Sequence, residues 1–191
     1  MSTDLERRVL DATKVCCERW GLAKVTVDDV AAEARVSRAT LYRLFPGGKD
    51  VLFEALRLRE LEEFFASLGE HIAGVDEFEE LLVRCVVHST QALRADDHLA
   101  AMLASEPGDT LGNLTVDGLP RIIRVATVFL VPLVVRHLPR ADASRLVELM
   151  VRLVISYFLA PSEYVDLADD VSARHFLNSH IIPAFQASLR S

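Results

Sequence analysis

Apolar residues recur every three or four positions along most of the chain, and no stretch alternates as a strand would. Leu5, Val9, Ala12, Cys16 and Trp20 form the first stripe, and Gly21 follows it as a C-terminal stop. Thr26 can cap a second helix. Val25 before it and Val30 at the fourth helical position make a hydrophobic staple, and Asp29 at the third position completes a capping-box-like arrangement. The device repeats eleven residues later, with Ser37 as cap, Val36 before it and Leu41 at the fourth position. Pro46-Gly47-Gly48 then breaks the chain.

The same periodicity predicts helices over about 49–68, 77–94 and 97–105, one from Pro120 to before Pro139, and two more over 141–160 and 168–189. Glu106-Pro107-Gly108-Asp109-Thr110-Leu111-Gly112-Asn113 reads as the strongest loop. Pro132 should kink its helix, because its ring displaces the bond to the Val128 carbonyl. The expectation is an all-α fold of about nine helices. The division falls at the Pro-Gly-Gly break, giving segments 1–48 and 49–191.

Two short capped helices joined by Ala34-Arg35-Val36 suggest a helix-turn-helix. Val27, Val30, Ala31, Ala34, Val36, Leu41 and Leu44 would face inward. The second helix then presents Arg38, Ala39, Thr40, Tyr42 and Arg43 outward. Between Ala34 and Lys49 there are four basic residues and no acidic one. A helix that enters a major groove needs this mixture of cations and hydroxyls for phosphates and small side chains near base edges. Arginine can read guanine bidentately, and the methyl of Thr or Ala can meet that of thymine.

The run from Thr26 to Ala34, Thr-Val-Asp-Asp-Val-Ala-Ala-Glu-Ala, and that from Val36 to Pro46, Val-Ser-Arg-Ala-Thr-Leu-Tyr-Arg-Leu-Phe-Pro, resemble the DNA-binding signature of TetR-family transcriptional regulators. The motif covers roughly the first quarter of the chain. The resemblance implies an N-terminal three-helix DNA-binding domain over 1–48 and a ligand-binding and dimerisation domain over 49–191. It implies a homodimer on a double-stranded DNA operator, usually a repressor, that answers to a small-molecule effector. Thr26, Arg35, Ser37, Arg38, Ala39, Thr40, Tyr42, Arg43 and Lys49 are then the DNA-binding candidates. Two positions depart from the family pattern. Arg35 stands where the turn usually has glycine, which costs about 1 kcal/mol if the backbone there is left-handed. Lys49 is displaced by one in the run Phe45-Pro46-Gly47-Gly48-Lys49.

In the remainder, the 141–160 helix is apolar nearly all round. Leu146, Leu149, Met150, Leu153 and Tyr157 form one face; Val147, Val151, Val154 and Phe158 form the other. Such a helix is either central in one chain or backed by a partner chain. The last helix offers Val171, Asn178, Ile181, Ile182, Phe185 and Leu189, and this pair resembles the dimer-forming pair of the family. Sparse polar residues on apolar helices suit a cavity for an apolar or amphipathic effector. The candidate lining is His88, Gln91, Met102, Leu103, Ile123, Thr127, Leu130, Tyr157 and Phe176. For each of these, plain core packing is the competing reading.

Composition removes other classes. A net charge of −7 argues against a general nucleic-acid binder. The charge is uneven, however. Residues 1–60 carry 11 basic and 10 acidic side chains, net +1, so the acidity belongs to the remainder at −8. Three cysteines, Cys16, Cys17 and Cys85, leave no disulfide framework and no zinc spacing. The first residues lack the apolar core of a secretory leader, and the apolar run 125–135 is too short to span a bilayer. These features predict a cytoplasmic chain with no membrane partner, metal or cofactor. No catalytic constellation is visible, so an enzyme is not expected. The rival reading is an all-α small-molecule-binding protein or enzyme that keeps the helix-turn-helix as scaffold.

Overall fold

In the computed structural model, which describes residues 4–105 and 107–187, the first apolar stripe folds as helix α1 (Asp4–Trp20). Gly21 ends it with φ +79°. Its N–H donates to the Cys17 carbonyl at 2.9 Å. Helices α2 (Val27–Glu33), α3 (Arg38–Leu44) and α4 (Lys49–His71) follow. Both predicted caps form. Thr26 and Asp29 make a complete capping box, and the Ser37 side chain accepts from the Thr40 N–H. Val25 and Val30 are both buried, as a staple requires.

The chain divides into two compact units, one up to Glu62 and one from Glu63. The seam lies inside α4, whereas the sequence places it at the Pro-Gly-Gly break. Leu52, Phe53 and Leu56 of α4 explain the difference, because they pack into one core with Val9, Cys16, Val30 and Leu41. Polar contacts tie the same stretch to α1. Arg59 pairs with Asp11 at 2.8 Å and Lys14 with Glu60 at 3.3 Å. A glycine break marks where a helix starts, but burial decides which core it serves.

The second unit contains helices α5 (Phe78–Ala95), α6 (Asp97–Ser105), α7 (Pro107–Leu114), α8 (Leu119–Val134) and α9 (Arg140–Leu159). After them come α10 (Asp170–Phe176), a π-helical turn (Leu177–Ile181) and α11 (Ile182–Ala187). Among the described residues there is no strand. Helices α8 and α9 pack together, and α5 packs on α9 and α10. Buried Leu81, Val83, Leu146, Leu167 and Leu177 mark the core.

Two local expectations change, and one holds. The predicted loop is mostly helix α7, whose first residue is Pro107; Glu106 lies outside the described residues. Proline at a first helical position is a helix starter, since its missing N–H is an orphan there anyway. The reversal comes later, at Gly118, where a Cβ would overlap the Asn113 carbonyl oxygen. Helix α8 runs through Pro132 and ends at Val134, before Pro139 as the sequence predicts. In the last helical segment the π-helical turn puts both Ile181 and Ile182 inside with Leu177, while Val171 and Asn178 are exposed. Leu189 lies outside the described residues.

All three cysteines are free and buried. Burial pushes the Cys85 thiol up to about 12. It pushes Cys17 up to about 11, with the neighbouring Cys16 and Glu60 adding to the effect. The thiolate is the nucleophile, so Cys85 is expected to resist iodoacetamide at pH 8 in the folded chain and to react once denatured. Mass spectrometry of the labelled peptides checks this, and labelling of native Cys85 would contradict it.

Candidate nucleic-acid interface

The turn between α2 and α3 is built by backbone bonds. The Val36 N–H reaches the Ala31 carbonyl at 2.9 Å and the Arg35 N–H reaches that of Ala32 at 3.1 Å. This is the Schellman pattern, which needs a left-handed residue just past the helix end. Arg35 is that residue, with φ +54°, and its side chain is exposed. A non-glycine residue in this region is strained by about 1–2 kcal/mol. Arg35→Gly is therefore expected to stabilise the N-terminal unit by about 0.5–1 kcal/mol, after the added freedom of its unfolded chain is subtracted. Urea unfolding measures this, and a destabilised variant would show that the Arg35 side chain makes compensating contacts.

Helix α3 carries no acidic residue, and Leu41 anchors it in the core. Arg38, Ala39, Tyr42 and Arg43 are exposed, as the spacing predicts. The Arg38 guanidinium carbon lies 5.6 Å from the centre of the Tyr42 ring. Its Nη1 donates to Asp28 Oδ2 at 3.4 Å. A hydrogen bond with Tyr42, and then the Asp28 carboxylate, hold Arg38 further above its already high range. The Tyr42 ring lies against Gly48, where φ is +69° and a Cβ would sit 3.1 Å from the ring. Glycine there leaves the ring its place.

The other candidates have internal partners. The hydroxyls of Ser37 and Thr40 lie 2.8 Å apart, and Thr40 is half-buried. The Thr26 hydroxyl donates to Asp29 at 2.6 Å and accepts from the Asp29 N–H at 3.2 Å. These Thr26 hydrogen bonds, side chain first, hold the Asp29 carboxyl below its ordinary range. Lys49 is half-buried and donates to the Ala23 carbonyl at 3.1 Å. Its Nζ also lies 5.2 Å from the Phe53 ring centre. Asp28 was no sequence candidate, and the available signal was that Asp29 alone fills the capping role.

The nine effector candidates sit in the second unit. Leu130 is buried; His88, Met102, Leu103, Ile123, Thr127, Tyr157 and Phe176 are half-buried; Gln91 is exposed. Among them, the Tyr157 and Phe176 rings meet edge to face at 5.7 Å. Several polar groups already have partners. Gln91 Nε2 donates to the Ala168 carbonyl at 2.9 Å, and Thr127 donates to that of Ile123 at 2.7 Å. His88 stacks on His71 at 4.5 Å. Burial first, and then His71, pull its pKa down. Among the described residues no helix is long and apolar enough to cross a membrane.

Residues 9–56 match the family model described as bacterial regulatory proteins of the tetR family. The chain is 28% identical over 103 residues to uncharacterised HTH-type transcriptional regulators of Mycobacterium bovis and Mycobacterium tuberculosis. That match covers 54% of this chain and spans about half (52%) of the length of those relatives. The TetR-family repressor AlkX from Dietzia sp., implicated in biodegradation of n-alkanes, is similar over 95% of both chains, with TM-score 0.70 and 25% identity. The repressor QsdR of R. erythropolis has the same fold, with TM-score 0.62 and 17% identity over 93% of this chain and 95% of that one. So does the fatty acid degradation regulator FadR from Bacillus halodurans, with TM-score 0.55 and 18% identity over 95% and 98%. Residues 9–56 are thus a domain of the tetR family of bacterial regulatory proteins, and the chain as a whole has the fold of TetR-family repressors.

Proposed function

We propose that the chain is a homodimeric, sequence-specific DNA-binding transcriptional regulator, acting as a repressor that a small apolar or amphipathic effector releases from its operator. The carrying observation is the exposed, acid-free outer face of α3, Arg38, Ala39, Tyr42 and Arg43, on a helix fixed by its cap and by Leu41. Residues 1–62 are the DNA-binding part and the remainder binds effector and partner. Arg38, at the start of α3, reads a base edge, with Ala39 and the Thr40 methyl beside it. Arg35, Ser37, Tyr42 and Arg43 hold phosphates, and Thr26 and Lys49 flank that strip. Two copies read half-sites one helical turn or a multiple apart.

The effector class is supported by the apolar helices α5, α8 and α9 and by the likeness to a repressor implicated in n-alkane biodegradation. Helix α4 belongs to both units and carries the coupling, so that effector binding favours a state with lower operator affinity. Selection of binding sites from random duplexes, followed by fluorescence anisotropy at fixed salt, tests the DNA reading. Enrichment of a two-fold sequence is expected; recovery of no sequence would overturn it. Light scattering at micromolar concentration tests the dimer, and a strict monomer would remove the half-site arrangement. Titrating medium-chain alkanes or fatty acids into the operator complex tests release.

A further inference from the structure

The geometry points to Asp28 as a positioning residue for Arg38, one that raises discrimination between operator and unrelated DNA. This rests on the reading of α3 given above. Asp28 stands in the first turn of α2, where it suits the helix dipole, but the cap does not need it. The capping box is complete with Thr26 and Asp29, and Asp28 instead reaches across the turn to the first residue of α3. Its carboxylate takes one edge of the guanidinium at 3.4 Å, and the Tyr42 ring lies 5.6 Å from the guanidinium carbon. An arginine head has five N–H donors in a fixed fork, so these contacts orient the fork and leave donors for a bidentate base contact.

Two consequences follow from this arrangement. An arginine already held loses less rotamer freedom on meeting a guanine, so the specific contact strengthens. The negative charge beside it weakens attraction to phosphates, which is the main source of non-specific affinity. Both side chains are mostly solvent-exposed, 62% for Arg38 and 66% for Asp28, so the pair contributes little to folding and is free to act on DNA.

Anisotropy on two duplexes tests the inference: one carrying the site selected by the wild-type chain, and one with the same bases scrambled. Asp28→Asn is expected to bind the selected site about two- to fivefold more weakly while holding the scrambled duplex as tightly as the wild type or tighter. Asp28→Glu should restore part of the discrimination. In an Arg38→Ala background, Asp28→Asn should no longer weaken binding to the selected site. Equal weakening on both duplexes, no change on the selected site, or a full effect in the Arg38→Ala background would each overturn the inference. If Arg38→Ala itself leaves both duplexes unaffected, the reading of α3 fails and Asp28 has nothing to position. Circular dichroism of each variant separates these outcomes from misfolding.

Discussion

Replacing Arg38 with alanine is expected to weaken binding to the selected operator by about tenfold to 100-fold per half-site, with helical content unchanged. The side chain is exposed and its ion pair to Asp28 is solvated, so its removal leaves no buried group unpaired. Affinity for scrambled DNA should fall much less, because a base contact carries discrimination while phosphate contacts carry general affinity. Anisotropy at one salt concentration decides the matter. A similar loss on both duplexes would make Arg38 a phosphate contact, and no loss on either would remove α3 from the interface.

Leu41→Ala acts three residues along the same helix and by another route. Leu41 is fully buried, so truncation removes its transfer free energy and leaves a cavity, at a cost of about 2–5 kcal/mol. Small domains are stable by only about 5–15 kcal/mol, so the N-terminal unit should unfold well below the wild-type midpoint. DNA binding should then disappear for lack of a folded α3. Trp20, the single tryptophan, lies in this unit and reports its unfolding by fluorescence. The paired outcomes are diagnostic: Arg38→Ala changes affinity at constant stability, and Leu41→Ala changes stability first. A stable Leu41→Ala variant would show that the surrounding side chains collapse to fill the space.

The N-terminal unit was legible because its determinants are local. A cap, a staple and an inward stripe lie within a few residues of each other, and the structure keeps Thr26 with Asp29, Val25 with Val30 and Ser37 with Thr40. The left-handed backbone at Arg35 follows from the sequence only as a condition, set by the glycine usual in the family at that turn; the Schellman bonds that impose it are seen in the structure alone. Helix α7 was hidden because Pro107 and Gly108 are breakers by composition, and only position shows that the proline begins a helix. The π-helical turn was hidden because it changes which residues share a face without changing the composition. Asp28 beside Arg38 was hidden because a contact ten residues apart depends on how α2 and α3 cross. The residues proposed for the effector are the least legible, since a half-buried apolar side chain looks the same whether it lines a cavity or fills a core.

The first turns of α4 also decide how this chain can be cut and joined. A fragment ending at residue 48 has the whole helix-turn-helix but lacks Leu52, Phe53 and Leu56, which close its core. Ending at residue 62 keeps those three side chains together with the Arg59–Asp11 and Lys14–Glu60 pairs. Chimaeras that graft this N-terminal unit onto another C-terminal domain should therefore be spliced within α4 after Glu62. A junction at the Pro-Gly-Gly break would import a foreign helix face into the core, and the graft would inherit its stability from the recipient.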